Sequence, residues 1–362
     1  MKNILLYTFC FASIVYLQSC SKSTTVAGSN TGGGGSGTGS GGGTTLTIAP
    51  PPAFGFYVVG YFPSYRDPAA IPDQKFKMCN VINYAFGSVN ATGGVTLAAP
   101  ATLTAVRTKA KANGAKVFIS LNGSATDWKT MASTQAGRTT YIKQVMDIVR
   151  NYGLDGVDVD WEFPSTSDGT DITYTALMKE LSDSCHMGSK YYLSTALTSG
   201  KYVGSYTNAI NSTLWTGNYV DFFNIMAYDD FNTTVPYKQH SDYTLATVCL
   251  NYWITTRAIP ASKVVLGLPA YGRPSGITQS GTTMTYAGIL GQGGSSQSDS
   301  AVVTQAGFTN YKIYYNGQPT IKKKAMLAKN TANGIMLWEH GQDSHDATSL
   351  LKAACDTLGR PY

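Results

Sequence analysis

Residues 154–164 read Leu154-Asp155-Gly156-Val157-Asp158-Val159-Asp160-Trp161-Glu162-Phe163-Pro164, and they place four carboxylic acids in eight positions. A uniform spread of the chain's 21 acidic residues would put fewer than one there. Because side chains alternate along a strand, Asp158, Asp160 and Glu162 point to one side. Three ionised carboxylates at steps of ~6–7 Å would repel one another, so at least one must titrate abnormally or share a proton. Such a cluster costs stability, and that cost is typical of a catalytic site.

Short β-branched or aromatic runs alternate with amphipathic segments on both sides of this stretch. The runs predict eight strands, at 57–62, 81–86, 116–121, 156–162, 192–197, 222–228, 264–269 and 334–338. Helical patterns cover 103–112, 140–152, 174–185, 245–258, 321–329 and 347–357, whereas the helix after the first strand and the fifth helix are poorly marked. This alternation predicts an α/β fold, a (β/α)8 TIM barrel, in which catalytic groups lie at the C-terminal ends of the strands.

Charge is scarce in this chain. Only 13% of the 362 residues are charged, about half the usual ~25%, and only Glu162, Glu180 and Glu339 are glutamates. The net charge of +6 comes with no basic stripe, so no nucleic-acid partner is expected. The single basic run, 322–324, falls on a predicted helix and is interpreted as a solvated face.

No metal or cofactor site is predicted. Calcium is the alternative interpretation of the acidic run, but the acids alternate within a strand and no Gly-rich calcium loop accompanies them. The histidines show no metal-ligand spacing with cysteines or acids. Outside the N-terminal segment lie four cysteines, Cys79, Cys185, Cys249 and Cys355. They allow three disulfide connectivities, and buried free thiols are favoured.

The run Asp155-Gly156-x-Asp158-x-Asp160-x-Glu162 resembles the signature of glycoside hydrolase family 18, the chitinases and their relatives. Other predicted strands carry further matches: Val59-Gly60-Tyr61-Phe62, Ser120-Leu121-Asn122-Gly123, Asn224-x-Met226-x-Tyr228-Asp229, 267–273 and Trp338. The resemblance spans about residues 55 to 350. One departure is Asn122, where the family usually has glycine. Asparagine tolerates positive φ better than most residues, so the turn is expected to survive while the cleft narrows.

The resemblance implies a role for each matching residue. Glu162 is implied as the general acid and then the base, with the substrate's own acetamido oxygen as nucleophile, so that an oxazolinium ion forms. Asp160 is implied to hold the acetamido N–H and to share a proton with Asp158, which Ser120 and Tyr61 support. Tyr228 is implied to bind the acetamido carbonyl, and Asp229 to position the sugar.

Physical arguments add to these implied roles. Glu162 lies nearest the open end of its strand, beside like charges that raise its pKa as a general acid requires. Trp338 is predicted as the apolar floor for the reacting sugar, and Met226 as part of the acetamido pocket. Arg273 either binds substrate or pairs with a loop acid. Asp155, at the start of the strand, is predicted to be structural.

Three functions remain open within the resemblance. The first is a chitinase that hydrolyses β-1,4-linked N-acetylglucosamine polymers, and it is favoured. The second is an endo-β-N-acetylglucosaminidase that acts on N-glycan cores. The third is a non-catalytic chitooligosaccharide-binding relative, which typically lacks the acid that Glu162 supplies here. The roughly 49 residues after Tyr271 leave room for only a small insertion after strand 7, which predicts an open cleft and endo action. The protein is expected to be a monomer.

The N-terminal segment predicts export. Lys2 precedes an apolar stretch, 4–17, that is too short to span a bilayer but is typical of a signal peptide. It ends in Leu17-Gln18-Ser19-Cys20, which resembles a bacterial lipobox and predicts a lipid anchor at Cys20, with plain secretion as the alternative. The predicted organisation is a signal peptide with lipobox (1–20), a Gly/Ser/Thr-rich linker (21–52) and a catalytic domain (53–362). The anchor is expected on the periplasmic side or the cell surface, and the absence of acids just after Cys20 favours the former.

Overall fold

The computed structural model describes residues 47–275, 282–305 and 307–362. The predicted signal peptide, Cys20 and most of the predicted linker lie outside these residues. The strands are β1 (Tyr57–Pro63), β2 (Val81–Val89), β3 (Val95–Leu97), β4 (Lys116–Asn122), β5 (Gly156–Val159), β6 (Tyr192–Leu197), β7 (Phe222–Ile225), β8 (Val264–Pro269), β9 (Tyr271–Pro274), β10 (Met284–Thr285), β11 (Ser300–Gln305), β12 (Phe308–Tyr314) and β13 (Gly334–Trp338).

The helices are α1 (Asp73–Met78), α2 (Pro100–Ala112), α3 (Ala125–Ala132), α4 (Gln135–Asn151), α5 (Thr170–Cys185), α6 (Ser205–Asn208), α7 (Thr213–Thr216), α8 (Tyr243–Leu250), α9 (Tyr286–Gly291), α10 (Gln318–Thr331) and α11 (Leu350–Leu358). A π-helical segment, Asn251–Thr256, continues α8. The helices that the sequence marked poorly are short: α1 has six residues, and α6 and α7 have four each. Such lengths hold fewer than two turns, so no apolar period could show.

Eight parallel strands close into a barrel, which confirms the predicted (β/α)8 TIM barrel. Their order around the ring is β1, β2, β4, β5, β6, β7, β8 and β13, and β13 pairs with β1 to complete it. The predicted small insertion after the seventh barrel strand is also present. It consists of α9 and a four-stranded antiparallel sheet in the order β10, β9, β12, β11.

Two barrel strands end earlier than predicted. β5 stops at Val159 and β7 at Ile225, three residues before the predicted ends of both. After β5, the Asp160 N–H still bonds to Leu121 O at 2.9 Å, and the chain then turns. After β7, the Ala227 N–H bonds to Ile225 O at 2.9 Å, which turns the chain out of the ladder. The residues that follow both strands therefore line the barrel mouth instead of pairing.

The barrel interior is layered. At the N-terminal end, aromatic rings fill the barrel: the Tyr57 and Phe222 ring centroids lie 4.4 Å apart, and those of Phe118 and Tyr192 lie 5.7 Å apart. Above them lies a layer of fully buried polar side chains, which are Asn83, Ser120, Asp158, Ser194 and Asn224. Apolar residues between the strands and helices form the larger core. The polar layer is the base on which the mouth is built.

Residues 47–52, which composition assigned to the linker, contact the barrel. Ile48 forms an antiparallel bridge with Met187, and the Ala49 N–H bonds to His186 O at 3.1 Å. The Tyr192 hydroxyl donates to Pro52 O at 2.9 Å. These contacts lie at the N-terminal end of the barrel strands, opposite the mouth.

The basic run at 322–324 is not wholly solvated, so that interpretation was wrong for one residue. Lys324 is fully buried, and its Nζ donates to Ser241 O at 2.6 Å and to Asn316 Oδ1 at 2.7 Å. Burial lowers its pKa to about 7. The four cysteines are buried free thiols, as favoured from the sequence. Among the described residues, no helix has the length and apolar character needed to cross a membrane.

Candidate active site

A cavity of about 260 Å³ opens at the C-terminal end of the barrel. Among its walls are six residues that the sequence singled out: Tyr61, Asp160, Met226, Tyr228, Asp229 and Trp338. Glu162 is also in this wall and is exposed at the mouth. Strand ends from all around the ring thus deliver the predicted residues to one place.

Asp158 lies beneath the cavity, fully buried, and accepts four hydrogen bonds. Its Oδ2 accepts from the Tyr61 hydroxyl at 2.7 Å and from Ser120 Oγ at 2.8 Å. Its Oδ1 accepts from Ser194 Oγ at 2.6 Å and from Asn224 Nδ2 at 3.2 Å. Burial raises the pKa of Asp158, and these donors only partly offset that rise. Asp158 and Ser120 therefore contact the site from below and do not line it.

Asp160 and Glu162 influence each other's ionisation at the mouth of the barrel. Burial raises the pKa of Asp160 well above its usual range, and the charges of Glu162 and Asp158 add to the rise. Asp160 Oδ2 receives a long contact from Asn122 Nδ2 at 3.4 Å, whereas its buried Oδ1 has no hydrogen-bond partner among the described residues. Desolvation also raises the pKa of Glu162, with a further contribution from the charge of Asp229.

Aromatic and sulfur side chains form the apolar wall. Trp338 is half-buried and stacks on Phe86, with ring centroids 5.7 Å apart and planes 23° apart. The ring of Tyr61 lies 5.2 Å from Trp338 on another side. Met226 and Tyr228 are half-buried in the same wall. An indole face held in place by two rings suits the C–H face of a pyranose.

Asp229 is held as a permanent anion. It has a left-handed φ of 65°, and its carboxylate accepts from Tyr271 Oη at 2.6 Å and from Arg273 Nε and Nη2 at 2.5 and 3.0 Å. The Asp229 N–H donates to the buried His240 Nδ1 at 3.3 Å. Burial alone would raise the pKa of Asp229, but the neighbouring His240 ring and the hydrogen bonds from Arg273 and Tyr271 lower it to about 2. Of the two roles left open for Arg273, the structure shows the pairing with a loop acid.

Comparison with known sequences matches residues 57–343 to the family described as Glycosyl hydrolases family 18. The chain belongs to family 18. The match covers all eight barrel strands and every residue of the mouth described above.

Similar family 18 proteins include chitinases from fungi and bacteria. Endochitinase 1 of Metarhizium robertsii is 28% identical over 287 residues, which is 68% of this chain and 66% of that protein. The structure of the GH18 chitinase ChiB from the chitin utilization locus of Flavobacterium johnsoniae is 29% identical, with a TM-score of 0.68, and the match covers 84% of this chain and 94% of that one. A plant class V chitinase mutant from Cycas revoluta, solved in complex with (GlcNAc)3, shares the fold at 21% identity and a TM-score of 0.71, over 84% of this chain and 100% of that chain. The chain spans just under two thirds of the length of the fungal relative.

The family 18 site also contains residues to which the sequence assigned no role. Ser194 and Asn224 complete the shell around Asp158, Phe86 supports Trp338, and His240 and Tyr271 hold Asp229. One signal for Ser194 was available, because the register places Ser120, Asp158 and Ser194 side by side on three neighbouring strands. His240 comes from the long segment after β7, and no local pattern marks it.

Proposed function

We propose that this chain is an endo-acting chitinase that hydrolyses β-1,4-linked N-acetylglucosamine polymers with retention of configuration. Glu162 serves as the general acid and then as the base that activates water. The single observation that carries the proposal is that the Asp160 and Glu162 carboxyls line one cavity together with Trp338. The fungal and bacterial relatives are described as chitinases, which supports the choice of polymer.

The carboxylates favour a substrate-assisted mechanism. Retaining glycosidases commonly use a second, ionised carboxylate as nucleophile. Among the described residues, the other acids in the cavity wall are Asp160 and Asp229. Burial raises the pKa of Asp160 well above its usual range, which disfavours the ionised form that a nucleophile needs, and Asp229 is engaged by Arg273 and Tyr271. An acetamido oxygen of the substrate can take that part and form an oxazolinium ion.

The remaining residues have roles that follow from their places. Once the substrate binds, Asp160 is next to Glu162 and can hold the acetamido N–H while stabilising the positive charge that develops. The Tyr228 hydroxyl, whose pKa burial raises, stays protonated and can donate to the acetamido carbonyl. Met226 lines the acetamido pocket and Trp338 is the floor. Asp158 holds the side chains beneath the cavity in place by accepting four hydrogen bonds from them.

The first test replaces the acid. Glu162→Gln is expected to lose roughly 10²- to 10⁴-fold in kcat, because proton transfer by a positioned side chain contributes about that much. Oligosaccharide binding, measured by calorimetric titration, should persist in this variant. For the wild-type enzyme, proton NMR of the first products should show the β-anomer. Comparable turnover by the variant, or an α-anomer formed first, would refute the mechanism.

The second test fixes the substrate and the mode of attack. Mass spectrometry of products from chitooligosaccharides and from a high-mannose glycoprotein, side by side, separates a chitinase from an N-glycan-core enzyme and from a binding protein. Endo action is supported by the small insertion, which consists of α9 and four short strands. Internal cleavage of a long oligomer is expected, and release of disaccharide alone from one end would contradict it.

We also propose that the chain is an exported monomer, lipid-anchored at Cys20. Residues 47–52 meet the barrel opposite the mouth, so an anchor before them would leave the cleft facing away from the membrane. Radiolabelled palmitate should be incorporated by the full chain and not by Cys20→Ala. Light scattering on the detergent-solubilised protein should give the mass of one chain.

A further inference from the structure

The turn that follows β7 carries three residues of the cavity wall but lies beyond the end of its strand. Residues 226–229 include Met226, Tyr228 and Asp229, which all line the cavity. β7 ends at Ile225, and Asp229 has a left-handed φ of 65°. Aspartate rarely adopts that conformation unless its surroundings stabilise it. Contacts from another part of the chain must therefore hold the shape of this turn.

Two residues just before α8 bind the backbone of the turn at three points. The Ser241 hydroxyl donates to Ala227 O at 2.7 Å. The Asp229 N–H donates to His240 Nδ1 at 3.3 Å, and the Asp230 N–H donates to His240 O at 2.9 Å. Ser241 and His240 are fully buried, so water does not compete for these hydrogen bonds.

The partners of His240 indicate which ring nitrogen carries the proton. Nε2 lies 3.3 Å from Tyr271 O, and a carbonyl oxygen can only accept, so Nε2 is the donor. Nδ1 faces the Asp229 N–H, which can only donate, so Nδ1 is the acceptor. Burial lowers the pKa of His240, which favours this neutral ring. The ring thus joins the backbone of Asp229 to that of Tyr271, just after β8.

Ser241 is itself fixed from the side of α10. Lys324 Nζ donates to Ser241 O at 2.6 Å and to Ser241 Oγ at 2.8 Å. The Asn316 amide donates to the same carbonyl oxygen at 2.6 Å. Since the Ser241 hydroxyl accepts from the Lys324 ammonium, its own proton is free to bond Ala227 O. A buried and satisfied set of hydrogen bonds of this kind rigidifies the segment that contains it.

We propose that Ser241 and His240 are positioning residues for the hydrolysis, because they hold the turn that directs Tyr228 and Asp229 into the cavity. The inference rests on the proposed function, in which Tyr228 donates to the acetamido carbonyl. Neither Ser241 nor His240 lines the cavity in the part of the chain that the structure describes, so both act through the turn. A displacement of the turn by about 1 Å would misplace both groups, and such a displacement can lower turnover by roughly 100-fold.

The test replaces His240 and Ser241 one at a time. His240→Leu removes the acceptor of the Asp229 N–H. Its kcat on the hexamer of N-acetylglucosamine should fall by roughly 10- to 100-fold, while KM changes little because sugars away from the turn still bind. His240→Asn places an amide oxygen close to the position of Nδ1, so it should recover most of that loss. Ser241→Ala removes only the hydroxyl that donates to Ala227 O, and it should also lower kcat.

The matched control is His186→Leu. His186 is also buried, and its ring nitrogens lie 3.0 Å from Ser182 Oγ and 3.2 Å from Asp221 Oδ2, but it lies at the end of the barrel opposite the mouth. This variant should lose stability and keep the wild-type kcat. A fall in kcat as large as that of His240→Leu would overturn the inference, and so would an unchanged kcat in Ser241→Ala or no recovery in His240→Asn.

Amide hydrogen exchange separates this inference from the proposed function. Exchange in a peptide that spans 226–230, measured by mass spectrometry, should be faster in His240→Leu than in the wild type and should stay at the wild-type rate in His186→Leu. A wild-type chain that cleaves no chitooligosaccharide would refute the proposed function, and the exchange rates would still show whether His240 holds the turn. Equal exchange in the wild type and in His240→Leu would contradict the inference.

Discussion

The most specific stability prediction concerns Asp158, which holds the base of the site together. Asp158→Ala removes the shared acceptor of the Tyr61, Ser120 and Ser194 hydroxyls and of the Asn224 amide. All of these groups are in the barrel interior, where water does not replace the lost acceptor. The variant should therefore unfold more readily as well as lose activity.

The magnitude follows from the four hydrogen bonds. Each contributes about 1 kcal/mol net, so the free energy of unfolding should fall by about 4 kcal/mol at neutral pH. Two smaller effects oppose each other. The alanine variant leaves a cavity, which destabilises the folded state. It also removes a buried carboxylate whose ionisation burial disfavours, and this offsets part of the destabilisation that the cavity causes. For a domain of this size, about 4 kcal/mol lowers Tm by roughly 8 °C.

Two matched variants distinguish the effect of the hydrogen bonds around Asp158 from the effect of losing a carboxylate that lines the mouth. Asp160→Ala removes a carboxylate that receives one amide contact at 3.4 Å, so its Tm should stay within about 2 °C of the wild type while turnover is lost. Asp158→Asn keeps an acceptor oxygen, and the hydroxyls around it can rotate to accept. The Asn224 Oδ1, which has no hydrogen-bond partner, can accept the new amide if that side chain flips. Asp158→Asn is therefore expected to lower the free energy of unfolding by less than half as much as Asp158→Ala.

Scanning calorimetry and urea unfolding measure all three variants, with product formation from chitooligosaccharides assayed on the same samples. The reasoning is refuted if Asp158→Ala melts within 2 °C of the wild type, or if Asp160→Ala is destabilised as strongly. It is also refuted if Asp158→Asn is as unstable as the alanine variant, because hydrogen bonding would then not be the cause.

Two further predictions concern pH. The charge of Asp229 raises the pKa of Glu162, and Asp229 also pairs with Arg273. Asp229→Asn removes that negative charge and leaves Arg273 unpaired, so the basic limb of the plot of kcat/KM against pH should move to lower pH. A basic limb that stays in place or moves to higher pH would contradict this. Burial lowers the pKa of Lys324 from an ordinary 10.5 to about 7 in the folded state. Between pH 7 and pH 10.5, the unfolded chain therefore carries a proton on Lys324 that the folded chain lacks. The free energy of unfolding should fall as the pH is lowered from about 10.5 to 7. Lys324→Met should flatten that part of the curve of unfolding free energy against pH, measured in urea, whereas Lys322→Met, on the exposed face of the same helix, should keep the wild-type slope.

The barrel could be predicted because each strand is marked locally. Buried parallel strands are short, apolar and β-branched, and β6, β8 and β13 have the predicted bounds. β2 runs three residues past its predicted end, whereas β5 and β7 stop three residues early, where the chain leaves the ladder to enter the mouth. An alternating pattern continues through these residues, so sequence periodicity alone does not show where pairing stops.

The site could be predicted only in part, because some of its contacts come from distant segments. The acidic run contains Asp158, Asp160 and Glu162 within one strand and the turn after it, and the structure brings all three to the mouth or its base. His240 reaches Asp229 across a long loop, and no pattern near His240 indicates it. Lys324 shows the same limit: a basic run on a helix resembles a solvated face until the packing of Ser241 against it is known.

The scarcity of charge explains how three neighbouring acids keep a usable proton. In the described part of the chain, no lysine, arginine or histidine forms an ion pair with Asp158, Asp160 or Glu162, although the barrel mouth contains Arg273. A cation beside these acids would lower their pKa values and disfavour the proton that Glu162, as the proposed general acid, would deliver. Hydroxyl and amide donors hold Asp158 in place of a cation, and they only partly offset the rise in its pKa that burial causes. Arg273 is instead committed to Asp229, whose pKa of about 2 keeps it ionised, and that fixed negative charge raises the pKa of Glu162. The lack of a cation paired with these three acids in the described part of the chain and the one paired anion beside Glu162 therefore both favour a protonated acid at the mouth.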